Sequence, residues 1–469
     1  MVVENPNSIN PITTDWDAFK SFIEGEKQWA VLNKTQAKNY FKGAFSIDPE
    51  FVLPNLRLAK IFHFEGNNKR ALEQLIEVKE GIGKLSSADS IRTIALENTL
   101  LGNQREAINN YKALKEVLPA QKEPYFELAE SYFNIREVEQ AMSNYNSALK
   151  IDSDYSLAIN HYAYCFTHIG EHKKALELFR KYVSLDSSAN SFDSYGDGWF
   201  AAGEYDSARV YKKTGLRIDG KLDYLYNSLS YINTVSGRIE EALANIDDYL
   251  NLQTEPEMIC NGLTIKAFIL YSSGKYNMAL DTCLRAQSFF DSEDLITRNH
   301  EMHWLLGKLY YKLGQKNNAR KEMQMMKQII DEYEISPNNY NEILKFYSEL
   351  KFTEYCQNRN RDGINEILTL FDELIVNKIK DWSSPYDRAF FNTELGVTLL
   401  KNRYSELAKL RFKKALDYNP NYPLANYYLY KMSTKAQNTS KAEEYKSVLL
   451  DVLDSADIGY LSLYNLDDN

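Results

Sequence analysis

Three glycines, Gly196, Gly198 and Gly203, crowd into the stretch NSFDSYGDGWFAAGEYDSAR at positions 190–209. Closely spaced glycines can cradle a phosphate, because a backbone without Cβ atoms approaches the anion and aims several N–H groups at it, usually between a strand and a helix. Here no strand-like run precedes them, and no lysine follows at the spacing a phosphate loop uses. HEMHW (300–304) suggests zinc chemistry, but His300 and His303 stand three apart, whereas a helical two-histidine site needs a spacing of four. His161, His168 and His172 are also neighbours, with Gly170 set to turn the chain between the last two. Cys165, Cys260, Cys283 and Cys356 are far apart and form no CxxC pair, so they read as reduced, buried thiols. No GxSxG nucleophile elbow is present. The expectation is a non-catalytic chain with no metal and no cofactor.

The bulk properties narrow the class further. At 469 residues the chain exceeds what one compact core normally serves, so it must be several domains or a modular array. It is 44% hydrophobic and 26% charged, as soluble proteins are, and no apolar run is long enough for a membrane span. The start carries neither a basic region nor an apolar region of a secretion signal. We expect a cytoplasmic protein, with a periplasmic or extracytoplasmic place left open for a truncated chain. A formal charge of −10 without a Lys/Arg cluster argues against nucleic-acid binding.

What positions these residues is a repeat. Alanines recur as Ala37, Ala71, Ala107, Ala141, Ala175, Ala208, Ala242 and Ala279, at intervals of 34, 36, 34, 34, 33, 34 and 37. Twelve residues before each stands a small residue: Gly25, Ala59, Ala95, Ala129, Ala163, Gly196, Ser230 and Ala267. Five residues before, glycine recurs as Gly66, Gly102, Gly170, Gly203, Gly237 and Gly274. Two small residues allow two helices to approach closely, and glycine supplies the left-handed turn between them. Pro49, Pro119 and Pro420 then close their units. The register continues through Gly307, Gly314 and Ala319, fades over about residues 335–385, and returns with Ala408 and Ala442, again 34 apart.

This pattern resembles the tetratricopeptide repeat (TPR), a pair of antiparallel helices of about 34 residues. The resemblance implies an all-α fold, a right-handed superhelical solenoid of about 11–12 helix pairs. Its expected parts are an N-terminal extension (1–13), an array of about nine repeats (14–334), a divergent helical pair (335–385), two further repeats (386–450) and a capping helix with tail (451–469), the divergent pair being a place where two rigid parts could meet. The segments TTDWDAFKSFIEGEKQW, DSYGDGWFAAGE with YDSAR, and VLLDVLDSAD look similar to TPR regions at the carboxy-terminal end of bacterial serine/threonine kinases, adenylate cyclases and winged-helix regulators. No kinase-type HRD or DFG sequence accompanies them.

In that family the first helices of the pairs line the concave groove, so groove residues can be read at spacings of about four. The strip reads Asn160, Tyr164 and His168; Asp193, Asp197 and Phe200; Tyr224, Asn227 and Tyr231; Thr264, Phe268 and Tyr271. Tyrosine offers area with a polar handle and asparagine bonds a peptide backbone in both senses, which suits a protein or peptide ligand. Packing between adjacent helices is the competing use of the same aromatics. Asp193 and Asp197, four apart, would favour a basic segment, with a solvated acidic face as the alternative. The Lys/Asn/Arg clamp that some TPR domains use for a terminal carboxylate is not found in phase. The expected function is therefore a protein- or peptide-binding scaffold, the docking or sensory part of a bacterial signalling system. A small-ligand or signalling-peptide sensor coupled to an effector on another chain is the first alternative, and an enzyme with an unrecognised site the second.

Overall fold

The computed structural model of the protein describes residues 13–30, 33–64, 67–289, 300–332, 337–376 and 388–464. Among these every regular element is a helix. The chain divides into two compact units, Met1–Cys165 and Phe166–Asn469.

Unit one pairs α1 (Trp16–Ala30) with α2 (Lys34–Ile47), α3 (Leu53–Phe64) with α4 (Asn68–Glu80), α5 (Ser87–Leu100) with α6 (Gln104–Val117), and α7 (Lys122–Asn134) with α8 (Val138–Ile151). The next helix, α9 (Ser156–His168), crosses the boundary. Unit two continues with α10 (His172–Leu185), then pairs α11 (Ala189–Ala201) with α12 (Tyr205–Ile218), α13 (Asp223–Val235) with α14 (Ile239–Leu252), α15 (Pro256–Ser272) with α16 (Tyr276–Gln287), and α17 (His300–Lys312) with α18 (Lys316–Glu332). A longer pair, α19 (Pro337–Gln357) and α20 (Arg361–Val376), precedes α21 (Arg388–Lys401) with α22 (Ser405–Tyr418) and α23 (Pro423–Lys435) with α24 (Thr439–Val452). A short helix, α25 (Ile458–Leu461), follows.

The two helices of a pair differ in how the sequence buries them. The first helix α3 is apolar nearly all round, burying Leu53, Leu56, Leu58, Ala59, Ile61 and Phe62. Second helices bury one stripe, as α4 does with Ala71, Leu75 and Val78, and α10 with Ala175, Phe179 and Tyr182. A helix packed on both sides must be apolar widely, whereas one on the outer layer needs only a stripe. The repeat alanine lies in this stripe, and in several pairs a large side chain four residues later fills the gap between helices: Phe41, Leu75, Tyr145, Phe179, Ile246 and Phe412 are all buried there. The small residue of the first helix makes room for it. At Gly396 a Cβ would stand 2.5 Å from the Phe412 ring, so only glycine fits.

The turn between paired helices has positive φ at Gly102, Gly170, Gly203, Gly237, Gly274 and Gly314, as the glycine register predicts. Gly66 lies outside the described residues. Arg136, Arg359, Arg403 and Gln437 adopt the same conformation in the pairs that lack glycine. Arg359 locates the divergent pair: five residues on stands Ile364, and twelve before that Phe352, both buried where other pairs hold small residues. The signature fades there because large residues fill both positions.

The division at Cys165–Phe166 differs from the expected one near residues 335–385. The physical reason is that unit two returns on itself. Asn419 Nδ2 donates to the Tyr205 hydroxyl (2.9 Å), and Asn421 Nδ2 donates to the Gly203 carbonyl (3.3 Å). The Asp457 N–H donates to the Gly237 carbonyl (3.0 Å), and the Asp457 carboxylate accepts from the Glu240 N–H (2.9 Å). The divergent pair is thus enclosed in a unit whose last helices touch its early ones.

Candidate functional site

The predicted strip separates into buried and open members. Asn160, on the unit-one part of α9, is buried with its side-chain oxygen unpartnered among the described residues. Tyr164 is half-buried, and His168, in unit two, receives Arg388, whose Nη1 donates to the His168 carbonyl at 3.2 Å. Phe200 and Phe268 are core residues, 2% exposed each, and Thr264 donates to the Cys260 carbonyl at 3.0 Å. Phe268 meets Phe390 edge-on at 5.7 Å between ring centres, and Trp304 packs on Phe346, Phe390 and Phe391. First helices from separate pairs therefore fill the inner face of this stretch with aromatics. On α13 the strip stays open: Tyr224 is 38% exposed, with Asn227 and Tyr231 half-buried.

The acidic pair of α11 has a partner that sequence reasoning missed. Lys212, on α12, is fully buried; its Nζ donates to Asp193 at 2.5 Å and to Asp197. Asp193 and Asp197 consequently do not form a free acidic face. Burial pushes Asp193 up to about 6, Lys212 opposes that and Asp197 adds to it. Lys212 stays charged, since the two carboxylates outweigh the desolvation that would lower it. Gly196 makes the arrangement possible, because a Cβ there would stand 2.9 Å from the lysine stem. Gly198 is approached by Phe179 instead, 2.6 Å from where its Cβ would be. These two glycines thus serve helix packing. The signal for Lys212 was partly legible: it stands four residues after Ala208, where most other pairs carry an apolar residue, though the last pair carries Lys446.

A second buried ammonium joins three first helices. Lys308 on α17 donates to Glu349 of α19 (2.6 Å) and Glu394 of α21 (2.5 Å), and the Trp304 indole N–H also donates to Glu349. Lys308 occupies the same repeat phase as Tyr164, Asp197, Tyr231 and Phe268, one residue after the small residue. Beside this cluster lies a cavity of about 240 Å³, lined by Tyr271, Tyr276, Lys312, Phe390, Glu394, Lys401 and Tyr428 among others. Tyr271 is 6% exposed, and its hydroxyl has no hydrogen-bond partner among the described residues. Lys312 and Lys401 each end a first helix and are exposed.

The histidines of HEMHW go to carboxylates: His303 Nδ1 lies 2.7 Å from Glu322, and His300 Nε2 lies 3.9 Å from Glu342. Among the described residues no group of His, Cys, Asp and Glu could hold a metal. All four cysteines are free and buried, and burial pushes the Cys260 and Cys356 thiols up to about 12.

Residues 123–155 and 300–324 match the tetratricopeptide-repeat family model, so repeats of this kind are present at α7–α8 and at α17 with the start of α18. Among solved structures, the chain is similar to a tetratricopeptide repeat protein from Parabacteroides merdae at 15% identity, covering 56% of this chain and 98% of that one, with a TM-score of 0.43. A thermophilic TPR protein of Thermus thermophilus is similar at 20% identity over 37% of this chain and 94% of that one, TM-score 0.34. A monomeric IFIT1 variant solved with m7Gppp-AAAA is similar at 14% identity over 78% of this chain and 90% of that one, TM-score 0.40. No curated protein matches the chain. No helix among the described residues is long and apolar enough to cross a membrane.

Proposed function

We propose that this chain, an array of helix pairs with TPR repeats in both units, is a non-catalytic scaffold that binds a protein or peptide. In this reading it is the docking or sensory part of a bacterial regulatory system whose effector is on another chain, in line with the regulator-like segments of its sequence. Tyr224 carries the reading. It is a large aromatic on α13 with 38% of its surface exposed and the rest covered, near enough to the α11 carboxylates that this partial burial, and then Asp193 and Asp197, raise its phenol. Two carboxylates share one buried ammonium there, so the surroundings keep a negative excess. A partner segment with an apolar or backbone surface for Tyr224 and Asn227, and a basic side chain beside them, matches that chemistry.

A photo-crosslinking residue at position 224, introduced in the source cell, identifies the partner. With the purified partner, Tyr224→Ala should weaken binding by about tenfold, the scale of an aromatic anchor, with an unchanged circular-dichroism spectrum. Undiminished affinity would reject this surface.

A further inference from the structure

We propose that the cavity between α15, α17, α21 and α23 binds a small aromatic carboxylate. The first argument is charge. Around the Lys308 cluster three ammonium groups, Lys308, Lys312 and Lys401, face two carboxylates, Glu349 and Glu394, so the site is one anion short inside a chain of net charge −10. Glu349 and Glu394 are already committed to Lys308. Lys312 and Lys401 are brought together: partial burial, and then the charge of Lys312, lower the Lys401 pKa to about 8. Two like charges held side by side are relieved by an anion placed against both.

The second argument is the unpaired donor. Tyr271 is buried at the cavity wall with its hydroxyl unpartnered, and a buried O–H without an acceptor costs free energy that a ligand oxygen removes. Lys308 and Lys312 each lie 5.6 Å from the Tyr271 ring centre, so a carboxylate accepting from that hydroxyl sits close to cations. The third argument is shape. Phe268, Phe390, Tyr276 and Tyr428 supply flat apolar walls, and about 240 Å³ holds one six-membered ring with a short acidic arm. A monoanion matches the charge deficit, a ring matches the walls, and a carboxylate oxygen matches the Tyr271 donor. This site is separate from the Tyr224 surface and does not depend on it.

Phenylacetate is the probe, with phenylacetamide as its neutral counterpart and acetate as the ring-free anion. Calorimetry on the full chain should show saturable one-to-one binding of phenylacetate, at least about tenfold weaker binding of the other two, and a matching rise in melting temperature. Lys312→Gln and Lys401→Gln should each weaken phenylacetate about tenfold, and Tyr271→Phe by several-fold, without changing the helical spectrum. At pH 8 binding should take up protons, measured in two buffers of different ionisation enthalpy, because the anion, like Glu394, raises Lys401 against the neighbouring Lys308 and Lys312. Absence of saturation up to about 10 mM, equal binding of phenylacetamide, or full affinity in the double lysine variant would each overturn the proposal. A hexapeptide ending in phenylalanine distinguishes the source of the carboxylate; tighter binding of that peptide than of phenylacetate would overturn a small-molecule site.

Discussion

The Glu127 site of unit one and the Lys212 site of unit two use the same parts in opposite proportion. Glu127 lies between Lys60 and Arg92, one carboxylate to two cations. Lys212 lies between Asp193 and Asp197, one cation to two carboxylates. Burial pushes both acids up. At Glu127 the two cations outweigh it and hold the carboxyl at about 2, whereas at Asp193 burial and the second carboxylate win and hold it at about 6. Similar depth thus gives opposite shifts, and the charge ratio decides which way. Exposure differs as well: Lys60 is 29% exposed and Arg92 keeps Asp89 at 3.1 Å, while Lys212 is sealed.

The largest expected effect separates the two sites by removing the central charge. Lys212→Met strands two carboxylates in a dry pocket and should destabilise the protein by about 3–5 kcal/mol near pH 7.5 in urea unfolding. Glu127→Gln should cost less, because Arg92 retains Asp89 and Lys60 reaches water. Adding Asp193→Asn and Asp197→Asn to Lys212→Met should recover most of the loss, since most other pairs hold a buried apolar residue at that position. A triple variant no more stable than Lys212→Met alone would mean that the lysine stem, and not its charge, supports the pair.

The pH dependence sharpens the contrast next. Glu127 sits below its ordinary 4.5, so the unfolded chain takes the proton first as pH falls. Its contribution, at most about 3 kcal/mol, is present above pH 4.5 and lost as pH falls towards 2. Asp193 sits above its ordinary 3.8, so the native state takes the proton first, and its contribution grows as pH falls from about 6 to 4. Urea midpoints at several pH values should show the Glu127→Gln deficit shrinking below pH 4.5. Asp193→Asn, compared with the wild type, should fare better at pH 7 than at pH 5. Parallel curves for the two variants would contradict the charge-ratio account.

Much of this architecture was legible because it repeats. The phase of Ala37 through Ala279 located the helix pairs, and glycine located six of the positive-φ turns. Arg136, Arg359, Arg403 and Gln437 escaped because a turn conformation can be imposed by the helices on both sides of it. The strip follows the first helices of successive pairs, but helical phase does not distinguish exposure from burial. Phe268 and Tyr224 both read as aromatics on first helices, yet Phe268 is buried, with Phe390 of α21 packed edge-on against it. Lys308, Glu349 and Glu394 meet from three pairs up to 86 residues apart, a separation that local periodicity does not encode.

The smallest effect tests whether the turns or the charges distinguish the two regions. Arg136 follows α7, which carries Glu127, and Gly203 follows α11, which carries Asp193 and Asp197; φ is 69° at the first and 80° at the second. A side chain in this conformation is disfavoured, so Arg136→Gly should stabilise unit one by about 0.5–1 kcal/mol. Gly203→Ala should cost about 1–2 kcal/mol, because its Cβ would stand 2.7 Å from the Asn419 side-chain oxygen and 2.8 Å from the Asn421 Cβ, as well as adopting the strained φ. Those asparagines tie the α22–α23 connection to α12 and to the Gly203 carbonyl. Gly203→Ala should therefore speed amide exchange at the start of α23, whereas Arg136→Gly should slow it only near α7 and α8. Faster exchange confined to α11 and α12 would show that the returning helices of unit two are held by the Gly237–Asp457 contact rather than by this turn.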